Sequence, residues 1–571
     1  MSKQLTAEQA DVVATAPTAD ILVVEAGAGT GKTSTLVELA KAMPGRGQYT
    51  AFNTSLVAES KTKFPQTTCP CNTIHSLAFR SEGRRFAHRL GGSRIRSAEV
   101  ARMMGLTDMV VQTTDPVDGL PKEKTLAAGL LASQVNAAVR KFCQSADKEI
   151  GTHHFPRKIN GLDESASMAV RGSLVETARR AWLDLSDPDG KLPYSHDCYV
   201  KTWSLNNPII SCDYLLIDEG QDLSPVMLSI GQQQVARGTK LIIVGDSAQQ
   251  IYDFRGAVNA LSRFPGAPRR MLSQSFRFGE AVALVANAVL DQLSDGTDLR
   301  MKGLPSIASK VARCEDPTAV LCRTNAAAVG HLLQAIKDGR RAHLIGGGAD
   351  VVAFCEAAIQ LQDGRSTSHP ELACFESWTE VQQYVKTDDG EDLKLMVKLI
   401  DDFGADKIVA ALKRMPAEKD ADLVICTAHK SKGREWDRVK LASDFPTLDK
   451  SDDAALRLLY VACTRAKLVL DIEDCPPFCG GKDKDGNETP RIDVREARKF
   501  IPVAEPRAAI LKAAAPTENT WSKGRSGDWL IRGKAGQTGQ VTVVKKDGRK
   551  SVETIKKVVW TDDVIALYAT K

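Results

Sequence analysis

The sequence predicts an α/β protein built on two parallel sheets covered by helices, with helical insertions and a small all-β module at the C-terminal end. Three observations predict it. Short, continuous apolar runs recur between helical stretches, the pattern of strands buried on both faces. These runs fall into two groups, one before and one after about residue 275. Beyond about residue 520 the pattern changes to alternating strands punctuated by turns.

In chain order, the first group is "ILVVE" at 21, "YTAF" at 49, "YLLID" at 214 and "KLIIVGD" at 240. The second is "AVLCRT" at 319, "LVICT" at 423 and "LVLDI" at 468. A long, mostly helical stretch interrupts the first group, and a shorter one interrupts the second. The resulting organisation is a first sheet domain from residues 1–84 and 206–275, with an insertion at 85–205. A second sheet domain spans 276–349 and 416–500, with a reduced insertion at 350–415. The segment "VAEPRAAILKAAAPTEN" reads as a linker within 501–520, ahead of a basic β module at 521–571. There "GQVTVVKKDGRKSVETI" alternates and turns on Asp547-Gly548, a hairpin signal, and Trp521, Trp529 and Trp560 offer rings for a small core.

Composition narrows the class. With 571 residues, 43% of them apolar and 26% charged, the chain is of ordinary globular make-up. The absence of an 18-residue apolar run predicts no membrane span, and the start "MSKQLTAEQADVV" shows no secretion signal. Thirteen cysteines without framework spacing fit reduced thiols and a cytoplasmic location. Cys69 with Cys71 and Cys475 with Cys479 lie too far apart in sequence to suggest a four-ligand zinc site. The net charge is +5, yet residues 521–560 alone hold ten Lys/Arg against three Asp/Glu. That concentration fits either a polyanionic partner or a lysine-rich surface. The cluster "RSEGRRFAHRLGGSRIR" likewise suits a groove for a phosphate backbone or a solvated helix face.

"ILVVEAGAGTGKTST" supplies strand, glycine-rich loop and helix start in sequence. Glycines permit φ > 0, so successive N–H groups of Ala26, Gly27, Ala28, Gly29, Thr30 and Gly31 can converge on phosphate oxygens at a helix N-terminus. Lys32 then reaches the β- and γ-phosphates of ATP, and the Thr33 hydroxyl is a ligand for Mg²⁺. Ala26 replaces the glycine common at the first loop position. "DYLLIDEGQD" delivers Asp218 and Glu219 to a strand end, one carboxylate for Mg²⁺ and the next for the attacking water. Arg277 in "LSQSFRF" and Arg465 in "LLYVACTRAK" supply positive charge for the transition state from either side of the boundary between sheets.

Taken together, "LTAEQ", "AGAGTGKT", "AFNTSLVAE", "TIHSLAF", "IDEGQD", "VGDSAQQIYDFRGA", "LSQSFRF", "TAHKSKGREWDRV" and "LLYVACTRAK" resemble, in order, the superfamily 1A DNA helicases of the UvrD/Rep/PcrA type. The match runs over about residues 5 to 475. "AFNTSLVAESKTKFPQTTCPCNTIHSLAF" and "KTWSLNNP…DYLLIDEGQD" are most similar to the F-box DNA helicase motor; no F-box precedes the motor in this sequence, so only motor functions are expected from the likeness. The resemblance implies two RecA-like P-loop domains. It implies that Gln9 reads the adenine edge, Phe276 stacks on the base, Ser34 stands where relatives carry an arginine, and Glu435 binds the ribose. Gln249 is implied to sense the γ-phosphate or the water. Phe52, Thr73, His75, Tyr252, Phe254, Arg255 and His429 fall on positions that contact single-stranded DNA, with Phe254 in place of a commoner tryptophan. The short 350–415 segment departs from the large regulatory domain of UvrD.

The functional expectation is ssDNA-stimulated ATP hydrolysis driving 3′→5′ movement, with unwinding at single-strand/duplex junctions. Stacking on rings suits a motor indifferent to sequence, because every base has a π-face. The alternative is a translocase that strips bound proteins from ssDNA with little unwinding. A nuclease would require acidic partners beside Asp528 and Lys534, and the final module could instead dock a protein partner.

Overall fold

The computed structural model describes residues 5–571 except 52, 92–94, 96, 115–119, 160–161, 253–255, 368, 370, 373–374, 376, 386–390, 481–487, 501–518, 524–528, 535–538, 545–549, 556, 562–564 and 570–571. Two compact units result, Met1–Phe500 and Ile501–Lys571.

The larger unit contains two six-stranded sheets. The chain enters the first through β1 (Ile21–Ala26), β2 (Gly47–Thr50) and β3 (Cys71–Asn72). It leaves for a hairpin of β4 (Met109–Thr114) and β5 (Pro121–Leu126), with helices Ala128–Gln144, Glu164–Ser186 and His196–Leu205 following. It returns as β6 (Tyr214–Ile217), β7 (Lys240–Gly245) and β8 (Arg269–Leu272). The order is β3-β2-β6-β7-β1-β8, and every adjacent pair is parallel. Leu22 and Val24 bury on one face with Leu36 of the helix Lys32–Ala42, while Val23 buries on the other with Ile230 of the helix Pro225–Val235. Continuous apolar strands are therefore what a sheet covered on both sides demands. The β4–β5 hairpin is a difference from the helical reading of 85–205. Its strands, "MVVQTT" and "PKEKTL", are half polar and mostly exposed, so they carry little apolar periodicity to detect.

The second sheet comprises β9 (Lys310–Val311), β10 (Ala319–Cys322), β11 (Ala342–Leu344), β12 (Leu423–Thr427), β13 (Trp436–Leu441) and β14 (Ala466–Asp471). Its order is β11-β12-β10-β13-β14-β9, again parallel throughout. Two RecA-like sheets are thus present. Helices Ala349–Gln362, Trp378–Tyr384 and Ala405–Lys413 share one core with β10, β11 and β12 through Phe354, Trp378 and Ile408, so the segment 350–415 thickens the sheet's helical layer.

The smaller unit is a sheet of β15 (Asn519–Lys523), β16 (Trp529–Lys534), β17 (Gly539–Val544), β18 (Lys550–Ile555), β19 (Lys557–Thr561) and β20 (Ile565–Ala569). All its pairings are antiparallel except β15 with β17. Val544 pairs with Lys550, bracketing Asp547-Gly548, which lies outside the described residues. Trp521, Trp529 and Trp560 fall on β15, β16 and β19.

Candidate active site

The P-loop joins β1 to the helix Lys32–Ala42, whose N-cap is Gly31 at φ +78°. Gly29 is at φ +75°, and a Cβ there would come within 2.7 Å of the Arg277 Cβ and the Ser275 Oγ. Glycine is needed here both for conformation and for the close approach of the segment that opens the second sheet domain. Lys32 Nζ donates to the carbonyls of Ala26 (3.0 Å) and Gly27 (3.4 Å), placing its charge inside the loop. The Phe276 N–H donates to Gly29 O (2.8 Å), and Gln9 Nε2 to Thr30 O (3.4 Å). Gln9 and the half-exposed ring of Phe276 flank Gly31, while Ser34 faces solvent.

β6 carries Asp218 to the same rim. The Thr33 hydroxyl donates to Asp218 Oδ2 (3.2 Å), as does Tyr49 OH (2.8 Å), and Glu219 N–H donates to Asp218 Oδ1 (3.0 Å). A hydroxyl and a carboxylate in contact form a hard-oxygen pair of the kind Mg²⁺ accepts. Burial, then the neighbouring Glu219, push Asp218 up to about 6, with Lys32 opposing. Glu219 is a non-glycine residue at φ +56°, a costly conformation, and its carboxylate accepts Gln221 Nε2 (2.5 Å). Burial works to raise its pKa, but Lys32, Lys432, Gln221 and Arg465 outweigh it and hold the carboxyl below the usual range. An ionised, partly buried carboxylate is thereby available to orient and deprotonate water.

The second sheet supplies the opposing cations. Arg465 is 1% exposed and directs Nη2 toward Gln249 Oε1 (3.4 Å). Burial and then Arg277 bring it down to about 9. Arg277 donates to Glu435 Oε2 (2.7 Å) and Thr464 O (3.1 Å). Glu435, expected at the ribose, is therefore bonded to Arg277 in this structure.

Three features at this rim escaped the sequence reading. Asp246 accepts Gln249 Nε2 (2.6 Å) and Tyr460 OH (3.2 Å) on one oxygen, and burial raises its pKa. Tyr460 OH also accepts Ala28 N–H (3.3 Å), reaching across from the second sheet. Lys432 Nζ donates to Asp222 Oδ2 (2.5 Å) and Gln249 O (2.9 Å) and lies 5.3 Å from the Tyr252 ring centre. All three residue groups lie inside motifs already singled out, yet their partners are distant in the chain.

On the expected DNA side, Tyr252 OH donates to His429 O (3.4 Å), with the two rings 6.5 Å apart. His75 Nε2 meets Asp197 Oδ1 (3.2 Å), the other oxygen of which accepts Gln144 Nε2 (3.3 Å). Thr73 is buried and caps the helix Ile74–Ser81 through Ser76 N–H (3.0 Å), so its hydroxyl is already engaged. Phe52, Phe254 and Arg255 lie outside the described residues. In the basic cluster, Arg89 is a structural brace, donating to Leu192 O (2.9 Å) and Asp184 Oδ1 (3.3 Å). A further group brings Asp147 Oδ2 to His153 Nε2 (2.8 Å) and His154 Nε2 (3.1 Å).

A family model described as an AAA domain matches residues 9–255, which contain the P-loop and its carboxylates. One described as a UvrD-like helicase C-terminal domain matches residues 422–470, which contain Lys432, Glu435 and Arg465. The chain resembles the UvrD-like helicases over both of these regions. It is 28% identical over 527 residues to F-box DNA helicase protein 1 of Schizosaccharomyces pombe, covering 83% of this chain and 58% of that protein. It is 28% identical over 495 residues to F-box DNA helicase 1 of Gallus gallus, covering 79% and 47%. Against DNA helicase II of Escherichia coli it is 24% identical over 306 residues, covering 50% and 40%. The chain thus spans about half the length of the curated relatives it matches. Among the described residues no helix is long and apolar enough to cross a membrane.

Proposed function

We propose that this UvrD-like motor hydrolyses ATP to move 3′→5′ along single-stranded DNA and to separate duplex at junctions. The observation that carries the reading is the segment from Asp246 to Tyr252, which follows β7. Gln249 meets Arg465 and Asp246 at the catalytic rim, and three residues later Tyr252 presents its ring beside His429. The relatives bear helicase names, which supports DNA as the track.

The chemistry follows from the side chains. Lys32 and the loop N–H groups bind the phosphates, and Gln9 with Phe276 holds the base. Thr33 and Asp218 would hold Mg²⁺, which would supply neutralising positive charge to the phosphates. Glu219 takes the proton of the attacking water, and Arg277 and Arg465 stabilise charge building on the transferred phosphoryl group. Their arrival from the second sheet closes the cleft, and hydrolysis releases it. Gln249 shifts with the γ-phosphate and moves the Tyr252 shelf, passing a base onward.

Unwinding of 3′-tailed against 5′-tailed duplex with ATP tests the direction, and only the 3′-tailed substrate is expected to open. Opening of the 5′-tailed substrate alone would contradict it. Clearance of protein filaments from ssDNA without opening either duplex would support the stripping translocase instead.

A further inference from the structure

Tyr460 has no exposed surface and closes the helix Asp453–Cys463 against the P-loop. A phenylalanine would fill the same space, so the hydroxyl calls for an account of its own. Burying it is offset by two bonds that form a one-way chain: Ala28 N–H donates to the hydroxyl (3.3 Å), and the hydroxyl donates to Asp246 Oδ2 (3.2 Å). The same carboxylate oxygen accepts Gln249 Nε2 (2.6 Å), and its sister accepts Ala248 N–H (3.1 Å). Ala28 N–H belongs to the set of loop donors that a nucleotide's phosphates engage.

We propose that the Tyr460 hydroxyl and a bound phosphate compete for the Ala28 N–H, and that Tyr460 passes this exchange through Asp246 to Gln249. The proposal rests on the ATPase reading of the site and deepens it. When a phosphate oxygen takes the amide, the hydroxyl loses its donor and the chain of bonds loses its cooperative support. Asp246 is then left with Gln249 as its principal side-chain donor. The amide that faces the reacting water is thus oriented by occupancy of a loop it does not touch. Tyr460 is a positioning residue: it reaches neither nucleotide nor water.

The test is binding of a fluorescent, non-hydrolysable ATP analogue, measured beside steady-state turnover with ssDNA. Tyr460→Phe removes the competitor, so the analogue is expected to bind more tightly, by about fivefold for one hydrogen bond, while kcat with DNA falls. Asp246→Asn keeps the tyrosine on the loop, so kcat falls with analogue affinity unchanged. A merely structural tyrosine would weaken binding and turnover together. Unchanged or weaker binding in Tyr460→Phe overturns the proposal, and so does tighter binding in Asp246→Asn, a variant that judges it even where the phenylalanine protein fails to fold. The binding arm uses no DNA. A wild-type protein that shows no DNA-stimulated turnover would therefore sink the motor reading while leaving the relay to be judged separately.

Discussion

The two rims of the cleft are opposites. The first sheet presents the buried Asp218, Asp222 and Asp246 and the partly buried Glu219, relieved on their own side by Lys32 alone among the charges named here. The second presents Lys432 and Arg465, with Arg277 beside them; Arg465 and Arg277 donate to its own carbonyls of Val461 and Thr464, while Lys432 donates across to Gln249 O and Asp222. Neither rim could stay dry by itself, because an unpaired buried charge costs several kcal/mol. The difference teaches that the halves meet by neutralising each other, and that anything adding or removing charge between them, a triphosphate above all, biases the meeting.

The sharpest break in that complementarity is chemical. Glu219→Gln removes the ionised carboxylate while keeping its shape, and ATP turnover is expected to fall by roughly 10²–10⁴-fold with nucleotide binding retained. Initial-rate ATPase assays beside equilibrium binding check both halves of that statement.

Next comes the Lys432–Asp222 pair, whose side chains are 11% and 3% exposed. Lys432→Ala strands a buried carboxylate and is expected to cost about 3–5 kcal/mol in denaturant unfolding. Replacing both partners with apolar residues should recover most of that loss. A single-variant cost no larger than that of an exposed pair would show that the rims do not depend on each other.

A smaller effect comes through pH. Burial raises Asp222 to about 6 from an ordinary 3.8, even against Lys432, and its Oδ1 has no hydrogen-bond partner among the described residues. The folded carboxyl therefore binds a proton more readily than the unfolded one. Folding takes up protons between about pH 4 and 6, and this group's contribution to stability falls as pH rises through that window, by at most about 1.4 kcal/mol per unit, and is flat above it. Asp222→Asn should lose that slope in unfolding midpoints measured from pH 4 to 7; an unchanged slope would assign it to other groups.

The readable parts of the site are the local ones. Strand, glycine loop, Lys32 and Thr33 occupy one short stretch, so backbone geometry and chemistry are specified together. Asp218 and Glu219 end an apolar strand, and the parallel sheet order then carries them to β1's rim. Tyr460, Asp246 and Lys432 were printed within recognisable motifs, but their roles depend on partners such as Ala28 and Asp222, hundreds of positions away. Tyr49 was invisible for the same reason: it reads as a core ring until its hydroxyl is seen on Asp218. The β4–β5 hairpin was missed because a strand with polar residues on both faces has no apolar period.

The central claim is that phosphate chemistry and strand binding share the loop holding Gln249 and Tyr252. The most direct measurement is the ATP turnover of the purified protein, with and without a single-stranded oligonucleotide. A rate that rises severalfold and saturates with oligonucleotide is the predicted result; identical rates in both conditions would contradict the claim.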